Sequence, residues 1–324
     1  MTFKKTPLAL SAGLIALGLT IGTAHADYPE KPIQLIVPWS AGGGTDAVAR
    51  QLANGLQQQL DQQVNVVNRT GGGGIVGHTA MSMADPDGYT LGLATAEIST
   101  YRNMGTSEIS YEDLAPIAMI NFDSAAFSVG ADSDWNSLDQ ALSDIKGNPG
   151  QYTVSGSGPG AAYHLAFAGF LDQQGIDPNS VALVPSEGAA PAFQELAAGG
   201  VDIVFSSLPE AESMRKAGRV DTLAVFSDER LDAFPDVSTA KELTGQTWTA
   251  GTWRGIVGPE GLPEDVVDTL AEATHKVFES DDFQSFMAKR GFGTEWKGPQ
   301  EFASFMAKQD EQNGKIIDKL GLAE

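Results

Sequence analysis

The chain has 324 residues, and its 42 acidic against 20 basic side chains give a formal net charge of −22 at pH 7. Such a surface repels nucleic acid and anionic membranes, so we expect neither as a partner. The sequence contains no cysteine, which excludes disulfide bonds, thiol catalysis and metal sites with cysteine ligands. The length fits two domains, each large enough for its own hydrophobic core.

Residues 1–26 have the pattern of a secretory signal peptide. Two lysines precede an apolar run over 8–21, and Ala24-His25-Ala26 matches an A-x-A cleavage site. The apolar run is too short for a transmembrane helix, and a lipoprotein anchor would need a cysteine where Asp27 stands. We therefore predict export, cleavage after Ala26 and a soluble periplasmic product that begins at Asp27.

A glycine-rich loop follows the first strand-like segment of the mature chain. This first glycine loop is residues 40–46, Ser-Ala-Gly-Gly-Gly-Thr-Asp, and apolar residues then recur every four positions from Val48 to Leu60. The spacing predicts a helix from Asp46, with Thr45 or Asp46 as its N-cap. Backbone N–H groups of such a loop and the positive end of the helix dipole favour an anionic ligand. A plain tight turn is the alternative, because the glycine spacing fits neither a P-loop nor a dinucleotide fingerprint.

Strand-like and helix-like segments alternate along the mature chain, which predicts an α/β fold. The final stretch of about 70 residues changes to mostly helical patterns. There, Pro263 and Pro299 are predicted in first helical turns and Gly291 as a C-cap. The predicted strands are 33–37, 64–68, 90–94, 115–120, 126–131, 152–155, 181–185, 201–206 and 222–226.

Two segments are predicted to cross between two lobes. The predicted strands 115–120 and 126–131 follow each other with almost no room for a helix, and the extended run 247–257 could thread back to the first lobe. We therefore assign 27–122 plus 252–324 to lobe one and 123–251 to lobe two.

A second glycine loop lies in the predicted lobe two. It is residues 155–161, Ser-Gly-Ser-Gly-Pro-Gly-Ala, again between a strand and a helical pattern. Two loops of the same kind in different lobes predict two surfaces that close on one anionic ligand. A turn at Ser206 either adds hydroxyl donors or only caps the helix before Pro209.

A secreted serine hydrolase is the alternative from a different class. Ser40 stands where a nucleophile elbow would place its serine, but Pro38 replaces the first glycine of that motif. His78, His164 and His275 lie in helical patterns that fit structural or solvated roles. No two histidines and a carboxylate have zinc-ligand spacing, so we predict no catalysis, no metal and no cofactor.

The mature chain resembles the substrate-binding receptors of tripartite tricarboxylate transporters, the TctC or Bug-type periplasmic proteins. The resemblance implies a two-lobed type II periplasmic binding protein fold (Venus flytrap) with the ligand cleft between the lobes. It implies a monomer that passes a small di- or tricarboxylate, or a related carboxylate, to a small and a large membrane subunit. It also implies that both glycine loops hold the ligand carboxylate. The segments that carry it are 28–33, 37–46, 68–74, 85–91, 148–150, 188–192 and 200–203.

Several cleft positions depart from the family pattern. Many members have an aromatic residue and two prolines at 39–41, and small hydroxyl residues where Glu97 puts a carboxylate. Arg254 is either a fixed cation beside the cleft or a surface arginine. If Glu97 lines the cleft, its carboxylate must be balanced either by a ligand that carries positive as well as negative charge, such as an amino acid, or by Arg102 or Arg254. A signalling co-receptor is the alternative to a transport receptor. The predicted ligand-binding residues are Trp39, Ser40, Ala41, Gly43, Gly44, Thr45, Asp46, Glu97, Ser155, Gly156, Ser157, Gly158, Gly160, Ala161, Ser186, Ser206 and Arg254.

Overall fold

The computed structural model describes residues 1–2, 28–186 and 188–323. The predicted signal peptide, apart from its first two residues, and the predicted cleavage site at Asp27 lie outside the described residues. Glu187, beside the predicted ligand residue Ser186, lies outside them as well.

The first lobe is built on a sheet whose strand order is β2-β1-β3-β9-β4. The first three strands are parallel, and β9 runs antiparallel to both β3 and β4. Helices cover this sheet with their apolar faces; in the first helix the face predicted from the spacing is confirmed, since Val48, Leu52 and Leu56 are buried. The elements are β1 (Ile33–Val37), α1 (Gly44–Leu60), β2 (Val64–Asn68), α2 (Ile75–Ser82), β3 (Thr90–Thr95), β4 (Leu114–Gly130), β9 (Gly251–Pro259), α8 (Glu264–Phe278), α9 (Asp281–Arg290) and α10 (Pro299–Leu320).

The second lobe is built on a sheet in which β4 lies between β7 and β8, and β5 and β6 continue beyond β7. Helices α3 and α4 pack on one face and α5 and α6 on the other, so this lobe has its own hydrophobic clusters. The elements are α3 (Leu138–Gly147), β5 (Tyr152–Ser155), α4 (Ala162–Gln173), β6 (Val181–Leu183), α5 (Ala189–Ala197), β7 (Ile203–Ser207), α6 (Leu208–Lys216), β8 (Val220–Val225) and α7 (Ala240–Thr244).

Strand β4 belongs to both sheets. The prediction of two separate strands at 115–120 and 126–131 is wrong, because one strand of 17 residues runs through both segments. The intervening residues 121–124 stay extended since they pair with 251–254 at the start of β9. Their backbone N–H and C=O groups bond to β9. In an unpaired linker, the same groups would have to bond to water.

Helix α10 contacts both lobes. Near its beginning, Phe302 is fully buried against Trp253 of β9. Near its end, Ile316 and Ile317 pack against Leu165 of α4 in the second lobe. The division of the chain into 27–122 plus 252–324 and 123–251 remains our proposal.

Glycine and proline residues mark the helix boundaries near the C-terminus. Gly291 is the C-cap of α9 with φ of +71°, as predicted. Pro299 is the first residue of α10, whereas Pro263 is the N-cap of α8, one position before its first turn.

A buried histidine joins the loop after β2 to the end of β3. His78 of α2 is fully buried, and its Nε2 accepts the N–H of Thr95 at 3.1 Å. Its Nδ1 therefore carries the proton and lies 3.0 Å from the carbonyl oxygen of Gly74. Burial lowers the pKa of His78 to about 4, so the ring is neutral at neutral pH.

We predict that His78 makes the protein less stable as the pH falls from 7.5 to 5.0. The unfolded chain binds a proton with a pKa near 6.5, which the folded chain takes up only near pH 4, so protonation favours unfolding across this range. The loss in unfolding free energy attributable to His78 is about 2 kcal/mol at pH 5. Urea denaturation at several pH values measures it.

The variant His78→Gln should show a correspondingly shallower pH dependence of the unfolding free energy. His275→Gln, at a half-exposed position of α8, is the matched control substitution. Equal slopes for the wild type and His78→Gln would contradict the prediction.

Candidate functional site

The ends of the strands of the two lobes meet across a cleft. A Cβ atom at Gly160 in the second lobe would collide with the sulfur of Met104 in the first. On the other side of the crossing strands, Gly291 faces Pro209 at the start of α6. The loops after β1, β3, β5 and β7 thereby approach one another around β4 and β9. These loops lie at the carboxyl ends of their strands, where open α/β sheets bind ligands.

The first glycine loop leads directly into α1, which begins at Gly44, two residues before the predicted start. Gly43 is the N-cap, in extended conformation at φ −76° and ψ 174°, so the prediction of Thr45 or Asp46 as N-cap is wrong. Asp46 instead turns its buried carboxylate back onto its own loop and accepts hydrogen bonds from Gly42 N, Arg50 and Asn68. Burial opposes ionisation of Asp46, but these hydrogen bonds lower its pKa to about 2.

This use of Asp46 leaves the N-terminus of α1 open. Within the described part of the chain, no side chain caps the helix, and the N–H groups of Gly44 and Thr45 have no acceptor inside their own helix because they belong to its first turn. Ser40, Ala41 and Gly43 are exposed at the tip of the loop. The loop therefore offers N–H donors at the positive end of a 17-residue helix.

Arg254 of β9 stands beside this helix end and is buried, so the alternative of a surface arginine is wrong. Its Nε donates to Thr45 Oγ1 at 3.0 Å, and its Nη1 donates to Asp123 Oδ2 at 2.6 Å and to the side-chain oxygen of Asn121. The guanidinium also lies 5.6 Å from the ring centroid of Phe292. Burial alone would lower the pKa of Arg254, but the charge of Asp123 more than offsets this and raises it.

The remaining nitrogen of Arg254 points to the first glycine loop. Nη2 is 3.4 Å from the position that a Cβ of Gly44 would occupy. Among residues 28–186 and 188–323, nothing accepts a hydrogen bond from this nitrogen, although the guanidinium is otherwise fully engaged. The charged donor Nη2 of Arg254 and the first-turn N–H groups of α1 therefore lie together at Gly44.

A chain of hydrogen bonds fixes Glu97 next to the first glycine loop. Trp39 Nε1 donates to Thr95 Oγ1 at 3.2 Å, and Thr95 Oγ1 donates to Glu97 Oε2 at 2.6 Å. Burial raises the pKa of Glu97, and the hydrogen bond from Thr95 and the charge of Arg254 oppose that rise. Glu97 is thus a carboxylate in a poorly solvated position within electrostatic reach of Arg254.

The second glycine loop is stabilised largely from within its own lobe. Ser155 donates its hydroxyl to the carbonyl of Val184 at 2.8 Å, so this hydroxyl is not the free donor that the sequence suggested. Ser157 Oγ accepts the N–H of His164, and Gly160 N donates to His164 Nδ1 at 3.0 Å. Gly156, at φ +138°, lies close to the backbone of β7, where a side chain would not fit.

Helix α4 begins in the same way as α1. Its N-cap is Ala161, whose side chain makes no capping hydrogen bond, and Ser157 Oγ accepts the N–H of His164, the third residue of the helix. Gly158 is half-buried, with open space where a Cβ would lie. The N–H groups of Ala162 and Tyr163, the first two residues of α4, therefore remain available beside the second glycine loop.

Two further serines of the predicted set are engaged locally. Ser186 donates its hydroxyl to the carbonyl of Gly188 at 2.7 Å. Ser206 and its neighbour Ser207 both donate to Glu210 Oε2, at 2.9 and 2.7 Å. The turn at Ser206 therefore carries a carboxylate as well as hydroxyl groups.

Sequence reasoning missed Tyr163, Asp123 and Glu210. The hydroxyl of Tyr163, in the first turn of α4, is buried, and this burial raises its pKa well above the usual value; the nearby charges of Glu210 and Asp123 add to the effect. The side chain of Ser207 hydrogen-bonds to it, and Arg254 is within electrostatic reach. Alternation along the crossing strand could have pointed to Asp123, since Asn121 and Asp123 share one face of β4.

Several kinds of chemistry find no support in the described part of the chain. It contains no group of three His, Asp or Glu residues placed to hold a metal ion. His78 and His164 each accept a backbone N–H on a ring nitrogen, which leaves those nitrogens unable to take a proton from a serine. None of the helices in this part of the chain is long and apolar enough to cross a membrane.

Comparison with solved structures agrees with this geometry. A TctC solute-binding protein from Polaromonas, solved without ligand, is 34% identical, with a TM-score of 0.79 over 90% of this chain and 99% of that one. A Rhodopseudomonas palustris protein with adipate is 25% identical, with a TM-score of 0.77 over 92% of this chain and 99% of that one. The fold is accordingly the α/β fold of two-lobed periplasmic binding proteins.

Sequence comparison gives the same relationship. A UPF0065 protein of Bordetella pertussis is 32% identical over 95% of each chain. The profile described as "Tripartite tricarboxylate transporter family receptor" matches residues 48–322. The chain therefore belongs to the TctC family of solute-binding receptors of tripartite tricarboxylate transporters.

Proposed function

We propose that this chain is a periplasmic receptor that captures a small organic anion between its lobes. It passes the anion to the small and large membrane subunits of a tripartite tricarboxylate-type transporter, acts as a monomer and catalyses no reaction. The observation that carries the proposal is the unpaired Nη2 of buried Arg254 beside the open N-terminus of α1. A carboxylate placed there accepts hydrogen bonds from both.

The second glycine loop supports a site shared by both lobes. A charge-assisted hydrogen bond contributes about 1.5–3 kcal/mol, and a helix N-terminus about 0.3–1 kcal/mol more. A micromolar Kd requires about 8 kcal/mol after the costs of association. A few donors from one loop are too few for this, whereas donors from α1, Arg254 and α4 together can reach it. The second set engages only when the lobes meet, so closure is the signal that a membrane partner reads.

The comparison proteins support the choice of a carboxylate. The R. palustris relative with adipate shares the fold across 92% of this chain, and a carboxylate is the kind of group that open helix N-termini bind. A thermal-shift screen of di- and tricarboxylates, aromatic acids and amino acids tests the proposal, because a ligand at 100 times its Kd stabilises the protein by about 2.7 kcal/mol. A screen without any stabilising anion would contradict it.

Gly43→Val and Gly158→Val should each raise the Kd of the best anion from that screen by roughly 100-fold. Either side chain would stand in front of open N–H groups, and neither glycine has a positive φ or a close neighbour that would strain the fold. Calorimetric titration measures the effect. Scattering should show compaction on ligand addition in the wild type alone.

Gly298→Val is the matched control for this pair. Gly298 is also an N-cap glycine without a side-chain cap among the described residues, at φ −68° and ψ 178°, but it begins α10. Its variant should bind the anion as the wild type does. Normal binding by a well-folded Gly158→Val variant would show that the second glycine loop is only a turn.

Arg254→Gln should abolish anion binding, but it also leaves Asp123 buried without its partner, which costs about 3–5 kcal/mol of stability. The double variant Asp123→Asn, Arg254→Gln removes both charges and should regain most of that stability. It should still bind the anion at least about 30-fold more weakly than the wild type, because the charged donor is missing. If the folded double variant binds the anion with wild-type affinity, Arg254 does not contact the ligand.

Export is tested separately. We expect the mature protein in the periplasmic fraction, with Asp27 as its first residue by N-terminal sequencing. A chain that keeps Met1 and stays in the membrane fraction would contradict the predicted signal peptide.

A further inference from the structure

The cleft has more acidic than basic side chains around it. Arg254 and Asp123 form a close ion pair with a separation of 2.6 Å, so together they contribute no net charge. Two further acidic side chains lie near this pair, Glu97 on the first lobe and Glu210 on the second, and neither forms a salt bridge among the described residues. Lobe closure removes water from this space, and a second carboxylate on the ligand would then face uncompensated negative charge.

Glu97 is held in a fixed orientation. Its Oε2 accepts the hydroxyl of Thr95 at 2.6 Å, and that hydroxyl in turn accepts the indole N–H of Trp39. In the part of the chain that the structure describes, Glu97 forms no ion pair within 4.0 Å, whereas the nearest arginine, Arg254, already binds Asp123. Such a carboxylate is oriented for a partner that the protein itself does not supply.

Trp39 supports this orientation of Glu97 from the first glycine loop. Its indole is half-buried at the start of the first glycine loop, two hydrogen bonds away from the Glu97 carboxylate. The N–H edge of the indole is directed to Thr95, so Trp39 acts through Thr95 to hold the Glu97 carboxylate in place for an ion pair with an ammonium group.

We propose that Glu97 and Trp39 form a subsite for a cationic nitrogen, and that the ligand is a zwitterion with one carboxylate and one ammonium group. This rests on the proposed function, since the carboxylate of the same ligand binds at Arg254 and the α1 N-terminus. Arg254 thereby selects the acid end and Glu97 the basic end. A dicarboxylate of equal length places its second carboxylate against Glu97 and is rejected.

Titration of the full mature chain with matched ligand pairs tests the proposal. Succinate and 3-aminopropanoate, glutarate and 4-aminobutanoate, and adipate and 5-aminopentanoate each differ by one carboxylate exchanged for an ammonium group. Alanine and glycine betaine test closely spaced charges. At least one zwitterion should bind about 10-fold more tightly than every diacid.

The variant Glu97→Gln shows whether this preference comes from the subsite. It should weaken binding of the preferred zwitterion by roughly 30-fold and strengthen binding of the diacids. A merely structural role of Glu97 would weaken both classes alike. Glu301→Gln, at an exposed position in the first turn of α10, is the control and should change neither.

The outcomes separate this inference from the proposed function. Tighter binding of a diacid than of every zwitterion, or equal effects of Glu97→Gln on both classes, overturns the zwitterion subsite and leaves the anion receptor intact. A wild-type chain that binds none of the eight compounds and no anion of the wider screen overturns both.

Discussion

The buried ion pair between Arg254 and Asp123 is the interaction on which the cleft depends. It joins the two strands that pass between the lobes, β9 and β4, at the point where their register places Asn121 opposite Arg254. Taking two charges out of water costs several kcal/mol per ion, so the pair is tolerable only if its other polar atoms are satisfied. Thr45 of α1 and the N–H of Gly293 supply those hydrogen bonds. These hydrogen bonds to the ion pair fix the positions of α1, the crossing strands and the segment after α9 relative to one another.

In the proposed function, the same pair determines how an anion is recognised. Because Asp123 neutralises the charge of Arg254, the site exerts little long-range attraction, and the net charge of −22 repels free anions at a distance. Salt screens this repulsion beyond about 10 Å at 0.1 M. Recognition must then come from donors at contact distance, namely Nη2 and the first-turn N–H groups of two helices. Such donors are directional, so they favour a ligand of matching shape over anions in general.

Local patterns predicted the parts of this structure that depend on local physics. The glycine loops, the apolar face of α1 and the C-cap at Gly291 follow from residue spacing and backbone preference, and sequence alone placed Glu97 at the end of β3. The failures involve distant partners. Asp46 leaves the capping position because Arg50 and Asn68 bind its carboxylate, and the polar middle of β4 stays extended because β9 lies alongside. The residues near Asp123 in the sequence do not indicate that it pairs with an arginine 131 positions later.

The proposed closure of the lobes must also be compatible with α10, which packs on both. Its beginning is anchored to Trp253 through Phe302, and its end rests on α4 through Ile316 and Ile317. These apolar contacts are costly to separate, so relative motion of the lobes is easiest as a rotation that keeps the α4–α10 contact. The opposite side of the crossing strands has room for such a rotation, since a cavity of about 640 Å³ separates residues 227–234 from residues 291–295 there. We propose that closure is such a rotation about α10. It would bring the first turn of α4, with Tyr163 and the second glycine loop, toward Arg254, and the position of the lobes would then set which donors reach the ligand.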